Sequence, residues 1–184
     1  MYSFNYLVPA LFFNATVKQV ENLGNLSTGG SLALGQVLEG RLFSEPGFEP
    51  SFTATFLHGE DYLTEDPTGD SIARPGVSGV VQPDDGDTPF QMQVSGVQVG
   101  TQQLDAIVAT NETTGLAVPY GETYSVWVPT FRGGSAKYAN LQNSVFVASE
   151  TVSDSDVPGQ FYVGIKISKV FPTKTNITIG EEFP

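Results

Sequence analysis

Amide and hydroxyl side chains spaced two apart are the groups in this sequence best suited to chemistry. Gln91, Gln93 and Ser95 share one face of an alternating segment, opposite Phe90, Met92 and Val94. Tyr138, Asn140 and Gln142 repeat that spacing further along. Amide N–H and phenol O–H groups are neutral donors; in an apolar wall they hold a carbonyl oxygen and stabilise negative charge building on it. The same polar faces would equally serve as the solvent side of a sheet. Phe56, Tyr124, Trp127 and Phe131 supply rings that could stack on a conjugated ligand, and Trp127, the sole tryptophan, also reads as core. His58, the sole histidine, follows Phe52–Leu57 at a strand end before Gly59. It is either a solvated structural residue or a cavity acid/base.

Other chemistries find little footing. With no cysteine, a nucleophilic triad would have to converge on His58. Ordinary zinc sites lack ligands for the same reason. Asp84, Asp85 and Asp87, or Asp66 and Asp70, are spaced for calcium, but such spacing is commonplace in turns, so no metal is assigned. Paired carboxylates for glycoside hydrolysis fall on no recognisable scaffold. No glycine-rich loop opens a helix, and no cofactor is expected.

The elements that must position these groups read as strands. The 20 glycines and 12 prolines recur every few positions, between short runs rich in Val, Phe, Tyr and Thr. Strands are predicted over Leu11–Val20, Ser31–Phe43, Ser51–Leu57, Gly76–Gln82, Phe90–Val97, Tyr124–Phe131, Ala139–Ala148 and Gln160–Val170. Turns fall at Gly29-Gly30, at Glu45–Phe48 and at Pro83–Asp87, the last closing a hairpin. The segment Gln102–Gly115 could hold a helical turn. Nine or ten strands in one domain spanning residues 1–184 favour a closed antiparallel barrel, because closure removes aggregation-prone edges.

The 184 residues suffice for one sizeable core. Hydrophobic residues make up 40 % and charged residues 15 %, a globular balance. Acidic residues outnumber basic ones 20 to 8, a formal charge of −12 that repels phosphate backbones and anionic membranes, so nucleic-acid partners are set aside. No apolar run reaches the ~20 residues that span a bilayer. Four Asn-x-Ser/Thr triplets, at Asn14, Asn25, Asn111 and Asn176, point to a eukaryotic secretory route. The opening segment has no basic n-region or small-residue cleavage site, which suggests a mature chain whose signal was replaced by Met1. A cytoplasmic chain with chance triplets is the alternative. A glycan on Asn14 would turn the Phe13, Ala15 and Val17 face inward. Exposed strand faces also leave room for a homodimer.

The run from Thr130 to Ala148, with its Phe131-Arg-Gly-Gly turn, Tyr138-Ala-Asn-Leu141 and Val145-Phe-Val-Ala148, resembles the hallmark of a family of small proteins of unknown function from bacteria and fungi. Gly35 and Gly40, Pro46-Gly-Phe48, Gly59–Leu63 and Asp84-Asp-Gly86 fall in the order that fungal members show. The resemblance implies a calycin-like antiparallel barrel with an interior cavity. Two positions depart from it: Asn140 stands where a tryptophan is frequent, with Gln142 in place of the following Asn, and Ser78 where an arginine is frequent. In size, triplets and β content the chain also resembles fungal hetero-Diels–Alderases of tropolone–sesquiterpenoid pathways. That likeness implies a cavity joining a conjugated polyketide-derived partner to a terpene. Cycloaddition needs two partners in near-attack geometry, and orientation alone can supply on the order of 7–11 kcal/mol. Gln91, Gln93, Gln142, Tyr138 or His58 would then be the donors or acid/base, with Phe56, Tyr124, Trp127, Phe131 and Asn140 lining the cavity. A non-catalytic carrier and a secreted interaction protein are the competing readings.

Overall fold

The computed structural model describes residues 4–67, 71–109 and 112–172. Period-two alternation of apolar and polar residues runs through nearly all of them, and it produces antiparallel strands with one face buried. These are β1 (Tyr6–Lys18), β2 (Glu21–Asn25), β3 (Ser31–Ser44), β4 (Thr53–Glu65), β5 (Ile72–Arg74) and β6 (Gly76–Pro83). They continue with β7 (Phe90–Val99), β8 (Ala117–Val118), β9 (Ser125–Gly133), β10 (Phe146–Asp154) and β11 (Gln160–Phe171). Among the described residues, helix is confined to α1 (Gln102–Val108), a 3-10 turn at Ala136–Tyr138 and the single turn α2 (Ala139–Gln142).

The expected all-β antiparallel barrel is the fold. Eight strands close it in chain order, β1, β3, β4, β6, β7, β9, β10 and β11, with β11 pairing back onto β1. Three short strands lie outside this ring. β2 pairs with β3, β8 pairs with β10, and β5 bridges β4 and β7 past Pro75, in line with β6. Among the described residues there are therefore eleven strands, slightly more than expected.

Two segments differ from their predicted form. Ala139–Ala148 is a strand only from Phe146 onward. Gly133 and Gly134, at φ 83° and 84°, turn the chain away from the sheet, and Ser135 then caps the 3-10 turn by accepting from the Lys137 N–H at 3.3 Å. Tyr138 thereby enters the core instead of alternating on a strand. β4 runs on to Glu65, so His58 lies mid-strand and not at a strand end. A bulge between Phe56 and His58 leaves both Leu57 and His58 exposed and reverses the inward phase, which passes from Phe56 to Gly59 and Asp61.

Side-chain size decides where the barrel is filled. At one end the inward positions are aromatic: Phe52, Phe90, Phe131, Phe146 and Tyr138 interlock with ring centroids 5.1–6.2 Å apart. Such pairs add about 0.5–1.5 kcal/mol each beyond area burial. In mid-barrel the Phe56 ring lies directly over Gly79: a Cβ built there would stand 1.9 Å from Phe56 Cζ. Only glycine admits the ring at that distance. At the opposite end the inward residues shrink to Ala15, Ser31, Ala33, Gly35 and Ala73, and the barrel is hollow.

Candidate functional site

The hollow end is a cavity of about 460 Å³. Its mouth is bordered by β5, the end of β4 and α1, whose N-terminus Thr101 caps by accepting from the Leu104 N–H at 3.1 Å. Leu104 and Ile107 of α1 are buried. A larger groove of about 850 Å³, on the outer surface between Asn14, Leu38, Arg41, Leu57 and Tyr162, is somewhat more open. The enclosed cavity is the better candidate, because it combines apolar walls with a few convergent buried polar groups.

Strand register builds those groups into one row. Gln98 of β7 pairs with Ser125 of β9, and Gly96 with Trp127. Trp127 in turn pairs with Ala148 of β10, so two residues further on Glu150 comes level with Ser125. The side chains meet accordingly. Gln98 Nε2 donates to Glu150 Oε2, Ser125 Oγ donates to the same oxygen at 3.1 Å, and Trp127 Nε1 donates to Ser125 Oγ. Glu150 is only 8 % exposed and lines the cavity. Both of its hydrogen bonds fall on Oε2; among the described residues none is made by Oε1.

Burial pushes the Glu150 carboxyl up to about 8, against the opposing effect of the Ser125 bond; the charge of Asp61 raises it further, and the Gln98 bond opposes it. At neutral pH Glu150 is therefore mostly a neutral carboxylic acid, with a proton available on the oxygen that Gln98 and Ser125 leave free. Asp61, on β4, lines the same cavity and accepts from the Gly76 N–H at 2.9 Å. Burial raises it to about 6, so it is largely ionised at pH 7. A neutral acid and an anionic carboxylate thus face one ligand volume, the pattern that separates a proton donor from a proton acceptor.

Of the candidate catalytic and substrate-binding residues singled out from sequence, Trp127 alone lines this cavity. Phe56 and Phe131 are buried in the core. Tyr138 is also buried; its hydroxyl donates to Asp85 Oδ2 at 3.1 Å, at the aromatic end. Gln91 and Gln93 are on the outer side of β7, where Gln91 Nε2 donates to Ser78 Oγ at 3.3 Å. Gln142 and Asn140 are exposed on α2, donating to the carbonyls of Gly133 at 2.9 Å and Glu49 at 2.8 Å. His58 and Tyr124 are exposed, Tyr124 at 61 %. The structure does not bring these outer residues together. Asn14 and Asn25 face solvent, as a glycan requires; Asn111 and Asn176 lie outside the described residues.

The acidic turn is held by other partners. Asp84 accepts from Arg41 and from Thr53 Oγ1, Asp85 from Lys137, and Asp87 from Ser135 Oγ. Asp70 lies outside the described residues. Among the described residues no three acidic, histidine or cysteine side chains are grouped to hold a metal ion.

Sequence reasoning missed Gln98, Glu150 and Asp61. A signal existed for two of them. Gln98 continues the apolar phase of Phe90, Met92 and Val94, and Glu150 that of Phe146, Ala148 and Val152. A polar residue in the inward phase of a barrel strand is the informative exception.

The fold recurs in solved structures of low sequence identity. A protein of unknown function from Clostridium acetobutylicum matches with a TM-score of 0.67 at 19 % identity, over 91 % of this chain and 100 % of that one. A conserved protein of unknown function from Rhodopseudomonas palustris matches with a TM-score of 0.69 at 18 % identity, over 93 % and 99 %. An enzyme from Penicillium herquei is more remote, with a TM-score of 0.49 at 15 % identity over 91 % and 96 %. No protein of curated function matches the sequence. Residues 6–170 match the family described as protein of unknown function (DUF3237), and the chain belongs to that family.

Proposed function

We propose that the barrel cavity is the active site of a cofactor-free enzyme that joins a conjugated, mostly apolar carbonyl compound to an alkene by a hetero-Diels–Alder type cycloaddition. The observation that carries this reading is Glu150: a neutral acid, buried against a cavity, with one oxygen committed to Gln98 and Ser125 and the other uncommitted. Its O–H donates to the carbonyl oxygen of the conjugated partner and stabilises the charge that grows there in the transition state. Trp127 and the aliphatic walls hold both partners in near-attack geometry and exclude water. All atoms of both partners are kept in the adduct, and the Glu150 proton stays where it began. The resemblance of the sequence to fungal hetero-Diels–Alderases supports the choice of reaction. Passage through a secretory route, with sugars on Asn14 and Asn25, belongs to the same proposal.

The test is turnover of a tropolone quinone-methide precursor with humulene, read by product mass and chirality against a protein-free control. Acceleration to one enantiomer is expected. Glu150→Leu, which deletes the donor, should lower the rate at least tenfold, whereas Glu150→Gln keeps an N–H donor and should retain more. Wild-type activity should fall above about pH 8 as Glu150 ionises, and the Gln variant should not follow it. Saturable quenching of Trp127 fluorescence without acceleration would identify a carrier instead.

A further inference from the structure

The cavity is lined by five carboxyl groups, those of Asp61, Glu65, Asp66, Asp105 and the neutral Glu150, and among its described lining residues there is no lysine, arginine or histidine. One of the five is compensated: Arg74 binds Asp66 through Nε at 2.9 Å and through a second nitrogen at 2.7 Å. Among the described residues, Glu65 receives only a hydroxyl hydrogen bond, from Ser31 Oγ at 2.6 Å. Asp105, on α1, is raised above the usual carboxylate range by burial and by the charge of Glu65, and both residues line the cavity while remaining exposed. Deeper in, Asp61 is anionic at pH 7 and Glu150 stays neutral partly because of it. A ligand in this cavity therefore lies among Asp61, Glu65 and Asp105, the last two at its exposed rim.

We infer that this cavity is a charge filter, taking uncharged or cationic ring compounds and rejecting carboxylates and phosphates, with Glu65 and Asp105 as its specificity residues. The inference rests on the cavity being the ligand site, as in the proposed function, and defines which ligands reach it. Like-charge juxtaposition at the solvent-exposed rim, screened by salt, discriminates against an anionic partner and costs a neutral one little. The apolar walls hold the ring and the carboxylates choose the sign of its substituent. Neither rim residue touches the reacting atoms, so their replacement alters admission and leaves the Glu150 donor in place.

Two probes with the same ring and opposite charge separate this from simple hydrophobicity: 2-naphthoate and 2-naphthylmethylammonium. Binding is read from quenching of the single tryptophan, Trp127, which lines the cavity. At low ionic strength and pH 7 the ammonium should bind at least tenfold more tightly than the carboxylate. In the Glu65→Gln/Asp105→Asn double variant that ratio should shrink to a few-fold, mainly because the carboxylate gains. Added salt should narrow the wild-type ratio in the same direction. Equal binding of the two ions, tighter carboxylate binding, quenching by neither, or a ratio unmoved by the double substitution would each overturn the inference. Loss of cycloaddition activity alongside intact charge discrimination would remove the proposed reaction and leave the filter standing.

Discussion

Replacing Glu150 with glutamine should change how stability depends on pH more than it changes stability at acid pH. The carboxyl ionises near 4.5 in an unfolded chain and near 8 in the folded barrel. Between those values the folded state holds a proton that the unfolded state has released. Stability from this group is therefore complete below about pH 4.5 and is lost as pH rises toward 8. Each unit of that window is worth about 1.4 kcal/mol at full difference. Integrated from pH 6 to pH 8, where Glu150 is half ionised at the upper limit, the loss is about 2 kcal/mol. Asp61, already ionising near 6, adds only a few tenths, roughly 0.4 kcal/mol, over the same range. Urea unfolding at pH 6 and pH 8, followed by Trp127 emission, measures the difference directly. Wild type should lose about 2–3 kcal/mol across the interval and Glu150→Gln less than about 1 kcal/mol. A wild-type loss below about 0.5 kcal/mol, or an equal loss in the variant, would show that Glu150 is not held neutral by the fold.

Three further outcomes follow from the same geometry. Gly79→Ala places a methyl carbon 1.9 Å from Phe56 Cζ, so the ring must leave its position, and urea unfolding should show a loss of about 1–3 kcal/mol. Ala33→Phe fills the hollow end, and titration with a naphthalene probe should show Trp127 quenching reduced at least tenfold while circular dichroism stays that of the barrel. Secretion from a eukaryotic host should give a chain whose mass falls on enzymatic deglycosylation, and Asn14→Gln with Asn25→Gln should remove the part of that shift carried by these two exposed sites.

How much of this was legible beforehand depends on whether the information is local. Period-two alternation in Leu11–Val20 assigned the strand, and the expected glycan on Asn14 turned Phe13, Ala15 and Val17 inward, where they are buried. Ser125, Trp127, Pro129 and Phe131 were likewise readable as one face, and that face is the interior. The polar row at Gln91 and Gln93 was read as a cavity wall as readily as a solvent face; periodicity gives two faces and does not label them. Residues 136–142 escaped the reading because a short helical turn capped by Ser135 looks like alternation over so few positions.

By itself, then, the sequence determined strand content and the closed antiparallel barrel, since both follow from spacing along each segment, but not which face of a strand turns inward. The tertiary structure alone decided the site. The bulge at Leu57 changes the phase of β4 and brings Asp61 inward, which no regular alternation foretells. Register between three strands sets Gln98, Ser125 and Glu150 side by side, although 52 positions separate the first from the last. The shift that keeps Glu150 neutral comes from desolvation by neighbours drawn from around the barrel, a property of the closed shape and of no segment within it.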